Sequence, residues 1–219
     1  MAEKSNGDCF LCGVNLGKTA MKSHIIKNHN TEKEKQECCL LKVEGAYEKN
    51  YWLYIDVPLD KTLSAVDGFL RKIWLGCCGH LSEFYIDNHI EIRPGMKLAN
   101  LKAGEKIFHA YDFGTTTESV ITVIGNITRK NQKNVVRLLA RNTPPVFTCA
   151  ECGEEADYIC GICSCESNDP FYCMECGENH ECGEDMLLPV TNSPRMGECG
   201  YTGEYDTFMF DPAVKKQEF

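Results

Sequence analysis

Tyr51-Trp-Leu-Tyr-Ile-Asp-Val-Pro-Leu-Asp-Lys-Thr-Leu63 changes character at its midpoint. The first half is aromatic and branched, the composition of a strand, and it stops at Pro58, which has no amide to donate to a ladder. Beyond Asp60 the spacing becomes helical. Leu63, Val66, Phe69, Leu70 and Ile73 form one apolar stripe, predicting a helix to about Leu75. Thr62 or Ser64 is placed to cap its first amides, and Gly76 to end it in a left-handed conformation.

Strand signals continue on the C-terminal side. Leu81 to Ile92 reads as one or two strands, with Phe84 and Ile86 on one face and Glu83, Tyr85 and Asp87 on the other. Glu105 to Phe113 reads as another, and Glu118 to Gly125 as its hairpin partner across the Gly114 turn. Val135 to Leu139 supplies one more, and Thr143-Pro-Pro145 marks a linker. The expected organisation is residues 1–37, a Cys₂His₂ unit with a polar connector; residues 38–142, a central body; and residues 143–219, an acidic cysteine-rich unit and tail.

Charge separates these units. Residues 142–219 carry 3 Lys/Arg against 16 Asp/Glu, whereas residues 1–49 carry 8 against 7 and residues 50–141 carry 12 against 9. The acidic tail repels nucleic-acid phosphate, leaving residues 1–141 as the part that would contact it. Apolar runs are short and broken by charge, so no membrane helix is expected, and the first residues lack a secretory hydrophobic stretch. A cytoplasmic, reducing location is expected, where grouped cysteines bind metal; an odd total of 15 cysteines also fits disulfides poorly.

Cys9-x₂-Cys12-x₁₁-His24-x₄-His29 has the ligand types and spacing of a small zinc knuckle: a turn presents two sulfurs and a helix two imidazoles. Leu16 and Met21 stand where such a finger keeps its own small core. In the tail, Cys149, Cys152, Cys173 and Cys176 are assigned to one ion. Cys160, Cys163, His180 and Cys182 are assigned to a second, with Cys165 and Cys199 as rival ligands. About three Zn²⁺ ions are therefore expected, replacing a hydrophobic core where large apolar residues are few. The interleaved cysteine pairs over residues 149–182 resemble the MYND, B-box and RING group of cross-braced adaptors, a resemblance that implies a protein partner. The acidic surroundings argue against a redox CxxC, because they raise thiol pKa. An iron–sulfur cluster is the other occupant a Cys₄ set admits.

The central body resembles the plasmid pRiA4b ORF-3-like family, related to passenger proteins of some transposable elements. The resemblance is carried by Tyr51 to Leu63, by His80-Leu-Ser-Glu-Phe-Tyr-Ile86, and by Tyr111-Asp-Phe-Gly114 with the strand after it. It implies an α+β fold: a curved, mainly antiparallel sheet with one or two packed helices, flanked here by the zinc modules. Where that family carries an aromatic residue after the helix, this chain has Cys77-Cys78. Asn192 to Tyr201 looks like a tail shared by the subset that has the cysteine module.

His80, His109, Tyr111 and Asp112 are the most suggestive polar residues of the body. On a regular strand Asp112 points away from His109, and it is better suited to accept from turn amides before Gly114. Cys38, Cys39, Cys77 and Cys78 read as buried apolar fillers, and Trp52 and Trp74 as core. Gly13-Val-Asn-Leu-Gly-Lys-Thr19 has three residues between its glycines and is not a phosphate loop. No residue is assigned a catalytic role. The expectation is a noncatalytic zinc-binding interaction or adaptor protein. The alternatives are a nucleic-acid-associated accessory protein of a mobile element, or an enzyme with a pocket in the central body.

Overall fold

A computed structural model describes residues 5–30, 35–87, 90–130, 135–166 and 169–210. The strands are β1 (Asn6–Cys9), β2 (Asn15–Gly17), β3 (Gln36–Gly45), β4 (Trp52–Pro58), β5 (Ser82–Ile86), β6 (Ile90–Ile92), β7 (Lys106–Tyr111), β8 (Thr117–Arg129), β9 (Arg137–Asn142), β10 (Tyr158–Cys160), β11 (Phe171–Tyr172) and β12 (Leu187–Pro189). The helices are α1 (Lys18–Asn28), α2 (Leu63–Leu70), α3 (Cys163–Glu166) and α4 (Met174–Glu178). Nine strands make one sheet in the order β2-β1-β9-β4-β3-β8-β7-β5-β6, and β11-β10-β12 make a second, small sheet. Every strand pairing is antiparallel.

The expected curved sheet with one or two helices is corrected here. The sheet is open and uncurled, and four α-helices are present among the described residues. Its two edges, β2 and β6, are three residues each and do not meet. Short edges give little ladder for another chain to extend. The additional helices come from the cysteine-bearing segments at both ends.

Two-sided burial of β3 and β4 organises the molecule. Cys39, Leu41 and Val43 of β3 and Leu53, Ile55 and Val57 of β4 pack against α2. Alternate residues Cys38, Leu40, Trp52 and Tyr54 face the other way and pack against Met21 and Ile25 of α1. Their central stretches, Cys38 to Leu41 and Trp52 to Ile55, read as continuous apolar runs because neither face meets water there. The finger's apolar residues thus help build a main core instead of a private one. Its β1 also joins the main sheet, pairing Gly7 with Asn142 and Cys9 with Ala140. Gly7 is required by close approach: a Cβ there would lie 2.2 Å from the Arg141 carbonyl oxygen.

Within the sheet Asp56 is wholly buried and is held by Arg129 and by Arg137, whose Nε lies 2.9 Å away. A buried carboxylate needs such partners, since losing them would leave an uncompensated charge.

The predicted helix after Leu63 forms, but its ends differ from expectation. Neither Thr62 nor Ser64 caps it by side chain. The carbonyls of Met96 and Pro94 accept the Leu63 and Ser64 amides at 3.0 and 2.9 Å. After Leu70 the chain widens into a π turn, Arg71–Leu75. Gly76 has φ −67°, so handedness does not demand it. Proximity does: a Cβ would sit 2.6 Å from the Arg71 carbonyl oxygen.

Residues 191–208 run back across the central body as a strap. Asn142 and Asn192 exchange hydrogen bonds of 2.7 and 3.0 Å, Ser193 Oγ donates to the Trp74 carbonyl at 2.7 Å, and Arg141 pairs with Asp206 at 2.7 Å. Phe208 packs its ring 5.2 Å from that of Phe69.

Because α1 roofs one face of β3 and β4, Met21→Ala should destabilise the sheet and not merely the finger, by about 2–5 kcal/mol. Urea unfolding of the metal-loaded protein, followed by the fluorescence of buried Trp52 and Trp74, should show the sheet transition moving to lower denaturant. A finger that melts alone, with the tryptophan transition unmoved, would contradict this packing.

Candidate metal centres

Four groups of cysteine and histidine converge, each with its ligand atoms within 4.8 Å of one another. All 15 cysteines are free thiols. A tetrahedral zinc with Zn–S near ~2.3 Å and Zn–N near ~2.0–2.1 Å sets ligand-to-ligand edges of about 3.8 Å for S···S, about 3.5 Å for S···N and about 3.3 Å for N···N. These edges test whether each group fits an ion.

The first group is Cys9, Cys12, His24 and His29. The β1–β2 turn supplies the sulfurs, and Gly13 at φ 73° lets the chain reverse behind them. His24 stands on α1 and His29 at its C-terminal cap. Cys9 Sγ lies 3.4 Å from His29 Nε2, Cys12 Sγ 3.2 Å from His24 Nε2, and the two imidazole nitrogens are 3.1 Å apart. Asn28 lies 2.9 Å from His24 Nδ1, fixing the ring so that Nε2 faces the group. Burial drives the Cys9 thiol up to about 11, a cost that metal coordination would remove.

Two groups lie in the C-terminal module: Cys149, Cys152, Cys173 and Cys176, and Cys160, Cys163, His180 and Cys182. Cys152 and Cys173 sulfurs are 3.6 Å apart, Cys163 lies 3.3 Å from His180 Nε2, and Cys163 and Cys182 sulfurs are 3.9 Å apart. These separations match coordination edges and far exceed a disulfide bond of ~2.05 Å. The module's core consists of Cys149, Cys160 and Tyr172, packed against further ligand cysteines and Leu187. The ligands therefore stand where another small domain would place leucine and valine.

The acidic surroundings were expected to raise these thiols, and for two of them local amides prevail. Burial opposes ionisation of Cys149, yet amides of Cys152, Cys173 and Glu151 bring it down to about 6. Cys160 likewise is lowered to about 7, burial being outweighed by the Cys163 amide, His180 and the Ile162 amide. Backbone dipoles a few ångströms away outweigh carboxylates screened by water. Cys165 is exposed, lies outside the group and contacts the Gly161 carbonyl at 3.5 Å.

The fourth group was not anticipated. Cys77 and Cys78, expected as buried fillers, are half-buried and exposed, and they converge with His80 and Cys199. Cys199, expected as a rival ligand beside Cys160 and Cys163, lies here instead. Cys78 Sγ is 3.7 Å from Cys199 Sγ, matching the sulfur–sulfur edge, whereas His80 Nε2 sits closer to the sulfurs than the S···N edge, 2.9 Å from Cys78 and 3.1 Å from Cys199. The only sequence signal was the Cys-Cys-x-His run itself. Cys38 and Cys39 are buried, at 0% and 1% exposure.

The suggestive polar residues of the body do not assemble into one reactive set. His109 is wholly buried, and its Nε2 lies 2.8 Å from Asp67, which also accepts from Ser82 at 2.7 Å and Arg71 at 2.8 Å. Burial opposes the charge of Asp67, but these donors hold its carboxyl well below the usual range. Ser82 donates to Asp67 and not to His109, and a carboxyl held so low is too weak a base to activate its hydroxyl. Asp112 departs from the strand with φ 65° and accepts from the Gly114 amide at 2.9 Å.

No helix among the described residues is long and apolar enough to cross a membrane. No family model and no curated protein matches this chain. Among solved structures, MM3350 from Methanosarcina mazei Go1, a protein of unknown function, is similar with 15% identity and a TM-score of 0.40 over 54% of this chain and 75% of its own.

Proposed function

We propose that this protein is a noncatalytic, zinc-organised adaptor, its central sheet acting as a platform and its acidic C-terminal module as the contact surface. The observation that carries the reading is closure: each cysteine–histidine group offers four protein donors, leaving no position for substrate or water. A catalytic zinc keeps one position open. The enzyme alternative has less support, because His109 is wholly buried, with its Nε2 held by Asp67 and its Nδ1 shut away from solvent without a partner. Reduced thiols throughout fit the cytoplasmic setting expected from sequence. Kinship of residues 38–142 with the pRiA4b ORF-3-like family stays part of this proposal, supported by the order of its strand and helix segments.

The C-terminal module exposes Ile162, Met174 and Met186 in a strongly acidic frame. Apolar residues ringed by one sign of charge fit a basic protein partner. Cobalt substitution tests closure. The Co²⁺-loaded full chain should show intense tetrahedral d–d bands that added azide leaves unchanged. Bands that shift with azide, or metal-dependent hydrolytic turnover, would replace the adaptor reading with a catalytic one.

One observation favours the nucleic-acid reading as a second function. Burial, followed by the charges of Lys18, Lys106, Lys22 and Lys49, holds Lys42 down to about 8, so these five cations share one surface. Glu44 pairs with two of them, Lys18 at 3.1 Å and Lys42. If phosphate docks there, Lys22→Glu with Lys49→Glu should weaken binding of short duplexes and reduce the slope of log K against log salt by about 2. Fluorescence polarisation at several salt concentrations measures this, and an unchanged slope would remove the second reading.

A further inference from the structure

We propose that Cys77, Cys78, His80 and Cys199 form a fourth zinc-type site that works as a clasp, fastening the strap of residues 191–208 to the central body. The inference rests on the zinc reading above and adds a coupling between metal occupancy and domain docking.

The other three groups are local, each drawn from one stretch of chain: residues 9–29, 149–176 and 160–182. This one is not. Three donors belong to the turn after α2, and the fourth arrives from the strap, 119 residues beyond His80. An ion held by all four would join two parts of the chain that have no other covalent link nearby. Its binding energy would then be docking energy for the strap.

Backbone conformation supports the assignment independently. Among the described residues, the non-glycine positions with positive φ are Asp112, at 65°, and Cys199, at 47°. Both lie at this site. A cysteine in the left-handed region is unfavourable, and such strain persists where surrounding interactions fix it. Gly197 and Gly200, at φ 83° and 64°, turn the strap on either side so that the Cys199 sulfur points at Cys78 and His80. Gly197 also presses on the C-terminal module, since a Cβ there would lie 2.9 Å from Ile159. The clasp therefore sits where the strap touches both module and body.

Second contacts are arranged for a thiolate-rich ion. Three thiolates around a divalent cation leave a charge of about −1. Arg195, wholly buried, lies beside Cys77 while pairing with Asp112 at 2.7 Å, so a guanidinium faces the thiolates. Its guanidinium and that of Arg71 flank the Tyr111 ring, 4.9 and 4.8 Å from the centroid. Tyr111 in turn places its hydroxyl 3.9 Å from Cys77 Sγ. Asp112 lies 3.3 Å from His80 Nε2 but is already engaged by Arg195, Gly114 and Thr115. It positions the turn and is not counted as a ligand.

The test uses the whole zinc-loaded chain. Cys199→Asn removes the donor with a residue that tolerates the left-handed conformation. Metal content should fall from four ions to three per chain, and amide exchange across residues 196–205 should accelerate about tenfold or more. Cys199→His, which restores a donor, should recover both. Cys78→Ser, at an exposed position of the opposite side, should reproduce the loss. Four ions retained in Cys199→Asn and Cys78→Ser, or an unchanged exchange rate after one ion is lost, would overturn the clasp. Wild-type protein with three ions would overturn the clasp alone, whereas protein with none would overturn the zinc reading as well.

Discussion

The burial of β3 and β4 on both faces is the constraint on which the rest of the molecule depends. Two adjacent strands that are apolar on alternating and intervening positions cannot rest against a single layer. One face is closed by α2 and the π turn that follows it. The other is closed by α1, a helix that carries His24 and is capped by His29, both candidate metal donors. Removing either cover would expose a contiguous apolar surface of several large side chains, Trp52 and Tyr54 on one side and Leu53 and Ile55 on the other. The finger at the N-terminus is therefore half of a core, and any metal held by Cys9, Cys12, His24 and His29 would be tied to sheet stability through Met21 and Ile25.

At the opposite end the balance of forces differs. The C-terminal module has three short strands, two helices of four and five residues, and a core made largely of sulfur. Helices that short are not stable by propensity, and so small an apolar interior cannot offset the chain entropy of folding. Coordination bonds to the two local groups would supply what packing does not. The strap beyond β12 then returns to the body with polar anchors. Asn192, Ser193 and Arg195 are all nearly or wholly buried, and each is paired with a partner on the central domain. Polar anchoring of this kind specifies one docked position more sharply than an apolar contact, because a shifted strap would leave buried donors unsatisfied.

Much of this was legible in the chain. The change of period at Pro58 located β4 and α2, and the apolar stripe from Leu63 to Ile73 named the residues that face the sheet. The ligand types of the finger and of the two C-terminal groups were visible in their spacing, and the fold brings those side chains together. The pairing of β7 with β8 followed from the turn at Gly114. Other readings failed for identifiable reasons. Thr62 looked like a cap, but the Met96 and Pro94 carbonyls reached the helix first. Gly76 looked like a left-handed stop, but its need is room beside the Arg71 carbonyl.

Local sequence set the periods of the segments and brought together those candidate metal donors that lie within a few turns of one another. Loop geometry fixes such distances whatever the rest of the chain does. Tertiary structure alone decided that the sheet is open and nine-stranded, that α1 belongs to a main core, and that Cys199 meets Cys78 and His80. Those outcomes depend on which surfaces are left apolar after every local element has formed, and on where a strap more than a hundred residues downstream finds partners for its buried polar groups. No short-range pattern records either quantity.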